Sequence, residues 1–388
     1  MAISTTADIF AATESVLPLV REHSSAIEAG RRLPDVVIDA LRSAGAFRMP
    51  MARSWGGPEM ALPDQLRLVE MISAADPAAG WCVMIGSDAG FYSSHFPDDV
   101  ARRLWPSVDA ITAGWLQPAG RAVPVDGGYS LSGRWQFGSC CLHADVIVGG
   151  FLVCDEHGVP QMGPAGPDFR IAVAPAEDWE ILDTWYTTGL AGSGSNDYQC
   201  NNMFVPAEHT FTWTTPSLRD GPVYALSSAF FTNAHGVPLG LARRALDEAI
   251  AVAQTKMLMP QFVKMADVPR VRDTIAESET LFRSTRAYAF QALDAVWAAL
   301  QAGRQPSPEQ RADLTFSRTQ CFRTAREVSL RMLQLVGTQA IYTGHILDRL
   351  VRDSITMGQH IIAAPMLDEG AAQLLLGQQP TGVAALLV

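Results

Sequence analysis

The stretch "GGYSLSGRWQFGSCCLHAD", residues 127–145, places Tyr129, Leu131, Gly133, Trp135 and Phe137 on alternate positions, the period of a β-strand. On both sides the chain has a different rhythm. Upstream, "ADIFAATESVLPLVREHSSAIEAG" (7–30) and "LPDVVIDALRSAGAF" (33–47) repeat apolar residues every three or four positions, and residues 63–74 and 77–92 continue that pattern. Downstream of the stretch, "ADVIVGGFLVC", "FRIAVAP" and "WEILDTW" are short β-rich runs between Gly, Pro and Asp turns. After "DGPVYALSS" the helical period returns. Leu239, Ala242, Leu246, Ile250 and Ala253 mark one helix, and Leu314, Cys321, Ala325, Val328, Met332 and Leu335 another. "QAGRQPSPEQ" (301–310) breaks them, so two long antiparallel helices are expected. The pattern predicts an α+β protein in three parts: a helical N-terminal domain (1–108), a central β domain (109–215) and a C-terminal helical bundle (216–388).

A chain of 388 residues with 48% hydrophobic residues supplies ample core for such a fold. The net charge of −11 offers no field for polyanions, so neither nucleic acid nor an anionic membrane surface is an expected partner. No basic leader and no long uncharged apolar run stands out, which makes the cytoplasm the default location. The six cysteines lack framework spacing, and no structural disulfide is expected in a reducing compartment.

The crowded stretch invites several chemistries, and most fail on spacing. Cys140, Cys141, His143 and Asp145 lie close in sequence, yet strand neighbours point to opposite faces and no second ligand pair follows, so no metal is expected. Vicinal Cys140 and Cys141 do not form a Cys-x-x-Cys motif and read as packing. Gly192-Ser193-Gly194-Ser195 is a broken hydrolase elbow without α/β alternation around it. Neither a GxGxxG turn nor a P-loop occurs. If the strand stays extended to residue 139, Trp135, Phe137 and Ser139 share one face. That face is either a wall for a planar ring system or ordinary core, and the strand alone leaves both open.

With its surroundings, the chain resembles the acyl-CoA dehydrogenase superfamily, which has the same helical, β, helical order. It is most similar to the flavin-dependent monooxygenase branch, the oxygenase components of two-component aromatic hydroxylases. "GGYSLSGRWQFGSCCLHAD" looks like that branch's central strand pair, "DTWYTTGLAGSGSNDYQCNNMFVP" (183–206) like its second flavin-facing segment, and "LVGTQAIYTGHILDRLVRDSITMGQH" (335–360) like its C-terminal motif. The likeness spans about residues 10–380.

The resemblance implies a reduced flavin, FADH2 or FMNH2 with FAD ahead, lying against Trp135, Phe137, Ser139, Trp185 and Ser195. A separate NAD(P)H-dependent flavin reductase would supply it, and O2 would be the oxidant. Ser139 is expected near the flavin N5, shielding a C4a-hydroperoxide from collapse. Where the dehydrogenases carry a glutamate beyond an Arg-Asp pair, this chain has Arg352-Asp353 followed by His360, which the resemblance casts as the base that activates a phenol or indole. His95 is a second catalytic candidate. Trp81, Phe91 and Tyr92 are expected to line the substrate pocket, with Gly86 and Gly90 leaving room for the ring, and His143 faces either the flavin or the turn. The dehydrogenases' Arg-Phe-Gly site for the dinucleotide phosphates is altered here, because Val263 follows Phe262. A homotetramer built through the C-terminal helices is expected. The competing readings are a flavin-dependent dehydrogenase or oxidase, and a non-catalytic ligand-binding scaffold on the same fold.

Overall fold

The computed structural model describes residues 5–163, 166–212 and 215–388. Seven helices come first: α1 (Thr6–Glu22), α2 (Ser24–Gly30), α3 (Asp35–Ser43), α4 (Leu62–Ala75), α5 (Pro77–Gly86), α6 (Ala89–Ser93) and α7 (Asp98–Leu104). Local signals explain where they begin. Thr5 and Asp8 form a capping box on α1. At α5, Asp76 accepts the Ala78 and Ala79 amides at 2.9 and 3.1 Å, and Pro77 occupies the first turn. Nearly every residue of α5 is buried, as expected of a helix that is apolar all round.

The strands are β1 (Thr112–Val125), β2 (Gly128–Gly138), β3 (Val146–Val153), the small hairpin β4 (Met162–Gly163) and β5 (Gly166–Pro167), then β6 (Phe169–Pro175), β7 (Glu180–Leu182), β8 (Asn196–Pro206) and β9 (Thr210–Phe211). Seven of them form one mixed sheet in the order β7-β8-β2-β1-β3-β6-β9. β1 and β3 run parallel, and the other pairings are antiparallel. One face packs on the helical region through Phe96, Trp105, Val148 and Phe211. The other encloses Leu131, Trp135, Phe151, Trp179 and Tyr198.

Trp135 organises that second core. Its ring stacks on Tyr198 at 5.6 Å, and its Nε1 donates to the Gly150 carbonyl at 2.8 Å. A Cβ on Gly120 would lie 2.4 Å from the indole, and one on Gly133 would lie 2.8 Å away, so both glycines serve close packing. The expectation of Trp135, Phe137 and Ser139 on a shared face fails here. β2 slips register between Trp135 and Gly138, and Phe137 has a φ of 60°. The bulge re-aims the strand, so Trp135 is fully buried while Phe137 is 52% exposed.

The remaining helices are α8 (Gly236–Thr255), α9 (Pro269–Gln301), α10 (Pro308–Val336), α11 (Ile346–Met357), α12 (Pro365–Leu375) and α13 (Ala384–Leu387), with the hairpin β10 (Met257–Leu258) and β11 (Val263–Lys264) after α8. Ser307 and Gln310 cap α10 reciprocally. Arg318, fully buried on α10, donates to the Ile362 carbonyl at 3.2 Å and the Leu387 carbonyl at 3.0 Å, tying two C-terminal segments to the bundle. No helix among the described residues is long and apolar enough to cross a membrane. Trp135→Phe is expected to lower stability by about 2–4 kcal/mol, through the lost ring volume and the lost hydrogen bond to the Gly150 carbonyl, as read by denaturant unfolding.

Candidate active site

The segment 183–195 leaves β7 and returns to β8 as an irregular loop, so its backbone groups need partners from outside. Asn196 Oδ1 accepts the amides of Thr184 and Trp185, both at 3.0 Å. Leu190 has a φ of 49°, and its amide donates to Asp353 Oδ1 on α11 at 2.6 Å. The neighbouring Arg352 donates to the Thr188 carbonyl at 2.6 Å and pairs with Glu28 and Asp348. A Cβ on Gly189 would stand 2.2 Å from the Arg352 carbonyl oxygen, and one on Gly192 would stand 2.1 Å from Ile27. The loop is thus pressed between α2 and α11. One turn earlier on α11, Arg349 pairs with Asp76 at 3.2 Å, and Ser24 Oγ donates to the same carboxylate at 2.6 Å. Burial raises the Asp353 carboxyl to about 7, against the opposing pull of the Arg349 charge.

This loop delivers Ser193 and Ser195 to the Ser139 that follows the β2 bulge, and the hydroxyls line up in one direction. With the Ser193 Oγ hydrogen on the Leu190 carbonyl at 2.7 Å, Ser193 accepts from Ser195 at 2.7 Å. Ser195 in turn accepts from Ser139, also at 2.7 Å. Ser139 accepts the Trp81 indole N–H at 3.0 Å. In that order every hydroxyl hydrogen of the three serines is committed. What Ser139 retains is one lone pair, an acceptor for an N–H donor.

Phe137 meets Trp115 edge-on at 5.6 Å and Trp185 at 6.3 Å, forming an aromatic margin beside the serines. The indole N–H of Trp185 is fixed on the Leu190 carbonyl at 3.0 Å. Trp135 contributes nothing to this margin; its side chain is spent in the sheet core.

A cavity of about 300 Å³ opens nearby, lined by Asp88, Tyr92, Trp115, Phe230, Phe231 and His360 among others. Trp81 joins it to the serine chain, because its ring meets His360 edge-on at 5.3 Å while its Nε1 holds Ser139. His360 Nδ1 accepts the Ile362 amide at 3.3 Å. Burial, followed by the Arg318 charge, lowers its pKa to about 4. A neutral ring with Nδ1 so engaged carries its proton on Nε2, and it presents a donor rather than the expected base. The reason is local: His360 caps the turn at 361–363.

Asp88 lies at the junction of α5 and α6. It is 4% exposed; Tyr92 Oη donates to its Oδ2 at 3.3 Å, and its Oδ1 has no hydrogen-bond partner. Burial drives this carboxyl well above the usual range. No sequence periodicity marks it, because small residues and aromatics surround it without a motif.

His95 lies elsewhere. It stacks on Phe211 at 4.9 Å and lines a second cavity of about 390 Å³ with Phe91 and Arg219. Tyr92 and Phe230 stand between the two cavities and line both. Gly86 and Gly90 do not make room for a ligand, since a Cβ on either would strike Phe47 or the Pro50 backbone. His143 sits beside Arg32 and Arg42, and burial and those charges lower its pKa to about 4. Cys141 is buried, which pushes its thiol up to about 12.

Residues 234–365 match the family described as "Acyl-CoA dehydrogenase, C-terminal domain". The chain is 29% identical to an indole-3-acetate monooxygenase of Pseudomonas putida over 373 residues, 95% of this chain and 94% of that protein. It is 28% identical to a flavin-dependent monooxygenase oxygenase subunit, HsaA, of Rhodococcus jostii, with 88% and 91% of the two chains covered. Among solved structures, 3-HSA hydroxylase from Rhodococcus sp. RHA1 superposes with a TM-score of 0.89 at 25% identity, covering 98% of this chain and 99% of that one.

The Asp353 clamp has a pH signature. With a free carboxyl near 3.9, the unfolded chain binds fewer protons than the folded one up to about pH 7, so this group lowers stability as pH rises from about 4 to 7 and adds no change above. Asp353→Asn keeps an acceptor for Leu190 and is expected to flatten that part of the curve of unfolding temperature against pH by several degrees.

Proposed function

We propose that the chain is a member of the acyl-CoA dehydrogenase superfamily, in its flavin-dependent monooxygenase branch, and the oxygenase component of a two-component enzyme that hydroxylates an aromatic or heteroaromatic small molecule. Relatives named as an indole-3-acetate monooxygenase and as an oxygenase subunit, matched along nearly their whole length, support this reading. The observation that carries it is the hydroxyl chain ending at Ser139. A reduced isoalloxazine has N–H at N5, whereas the oxidised ring offers only a lone pair there. An acceptor with its own hydrogen committed therefore suits the reduced form. Phe137, Trp115 and Trp185 supply aromatic cover for the ring, and Ser139 and Ser195 a polar edge.

When bound, reduced flavin supplies two electrons and activates O2 for delivery of one oxygen atom to the substrate. The protein's part is to hold, orient and dry the site. The cavity beside His360 is mostly aromatic and aliphatic, which excludes water and accepts a planar ring. His360 offers Nε2–H to whatever oxygen develops charge there. The reduced flavin comes from a separate reductase, with FAD ahead of FMN. The exposed apolar side chains Leu330, Ile341, Tyr342, Ile355 and Leu376 support assembly of a homotetramer through the C-terminal helices. A dehydrogenase or oxidase would instead hold oxidised flavin tightly, and the serine chain disfavours that form.

The test supplies the protein with reduced FMN or FAD, ¹⁸O₂ and a panel including indole and phenols. Singly labelled hydroxylated product by mass spectrometry is expected, and its absence with both flavins overturns the proposal. Ser139→Ala is expected to weaken binding of reduced flavin about tenfold while leaving oxidised flavin unchanged, and to divert more turnover to hydrogen peroxide. His360→Ala is expected to slow product formation ten- to a hundredfold with a smaller effect on flavin affinity, as measured by single-turnover kinetics.

A further inference from the structure

Tyr92 and Phe230, whose rings meet at 5.9 Å, divide the cavity beside His360 from a larger one of about 390 Å³ that the reaction as described leaves unused. The two spaces differ in character. Aromatic and aliphatic side chains dominate the first, whereas Ser94, His95, Ser217 and Arg219 bring polar groups to the second. Arg219 is the cation there. Its Nη1 donates to Ser93 Oγ at 2.9 Å, and its guanidinium lies over the Trp55 ring at 4.3 Å. Among the described residues no carboxylate pairs with it. Asp98, whose charge it feels, is already engaged by the Trp55 indole N–H and by Arg102 at 2.7 Å. Asp220, its neighbour in sequence on the same cavity, is exposed and forms no ion pair.

Stacked on an indole at the margin of a cavity, this guanidinium gives up water without gaining a counter-ion, and its Nη2 is buried with no hydrogen-bond partner. Burial accordingly draws its pKa below the ordinary value. A neutral side chain would fill the same volume at lower cost. The net charge of −11 offers anions no general attraction, so a place that takes one needs a local cation such as this. We propose that the second cavity is the subsite for an anionic arm of the substrate, with Arg219 as its counter-ion, so that the substrate is an aromatic acid whose ring lies beside His360 and whose carboxylate reaches past Tyr92 and Phe230. A planar guanidinium matches a carboxylate in shape and charge. Phe91 and the stacked pair of His95 and Phe211, 4.9 Å apart, give the arm apolar walls. The inference rests on the monooxygenase reading for the place of the ring, and its test is independent of turnover.

The full chain is titrated by calorimetry under nitrogen, with and without reduced FMN, using 3-phenylpropionate against 3-phenylpropionamide and indole-3-propionate against its amide. Each pair is matched in size and differs in charge. The wild-type protein is expected to bind the acid about ten- to a hundredfold more tightly than the amide, and phenol is expected to compete with the acid. Arg219→Leu binds acid and amide within about threefold of each other, with affinity for the amide near that of wild type. Arg219→Lys, which keeps the charge without the planar fork, retains part of the preference. Equal binding of acid and amide by wild type overturns the proposal without recourse to any variant. A preference that survives intact in Arg219→Leu belongs to another cation and also overturns it, as does simultaneous binding of phenol and the acid. Preference for the acid without oxygenated product would sink the monooxygenase reading alone, and oxygenated product without that preference would sink this inference alone.

Discussion

The bond from the Leu190 amide to Asp353 holds the site together. The loop it anchors has no ladder and only one short 3-10 turn, Ala191–Ser193, and it carries Ser193, Ser195 and Trp185. A buried carboxyl is an expensive anchor, and the surroundings show how the cost is met. Arg349, one turn earlier on the same helix, lies against Asp76, which caps α5, the helix that presents Trp81. Helices from opposite ends of the chain therefore converge on one loop, and the serine chain starts on one of them and ends on the residue the other clamps. Few single changes at either end would leave the hydroxyl geometry untouched.

A second constraint lies in the sheet. A regular β2 would have placed Trp135, Phe137 and Ser139 side by side. The bulge and the left-handed Phe137 split them into a core anchor, an exposed aromatic and a buried hydroxyl. One strand thereby serves both the fold and the site, with Trp135 rigidifying the sheet directly behind the residues that face the cleft.

Much of this was legible from residue order. Three- and four-residue spacing in the outer regions and alternation around Trp135 give the helical, β, helical sequence, and the segments around Ser139, Ser195 and His360 do meet around Trp81 in space. What failed did so for local physical reasons. Alternation is a property of an unbroken strand, and nothing in "RWQFGS" announces that a phenylalanine adopts positive φ. His360 reads as a base from the ordinary pKa of an imidazole; the engaged Nδ1 follows from a turn visible only in three dimensions. Asp88 reads in the sequence as a cap at a helix junction, whereas its carboxyl is buried with Oδ1 unpartnered.

The one-way run of hydroxyl hydrogens also has an electrochemical meaning. A protein that binds the reduced form of a two-electron carrier more tightly than the oxidised form shifts that carrier's midpoint potential upward, by about 30 mV for each tenfold of preference. Through Ser139 the fold would thus hold electrons on its guest until oxygen arrives, and then loosen its grip on the spent ring. In the proposed role, serine hydrogens running toward the Leu190 carbonyl would bias the traffic of flavin between this chain and a reductase.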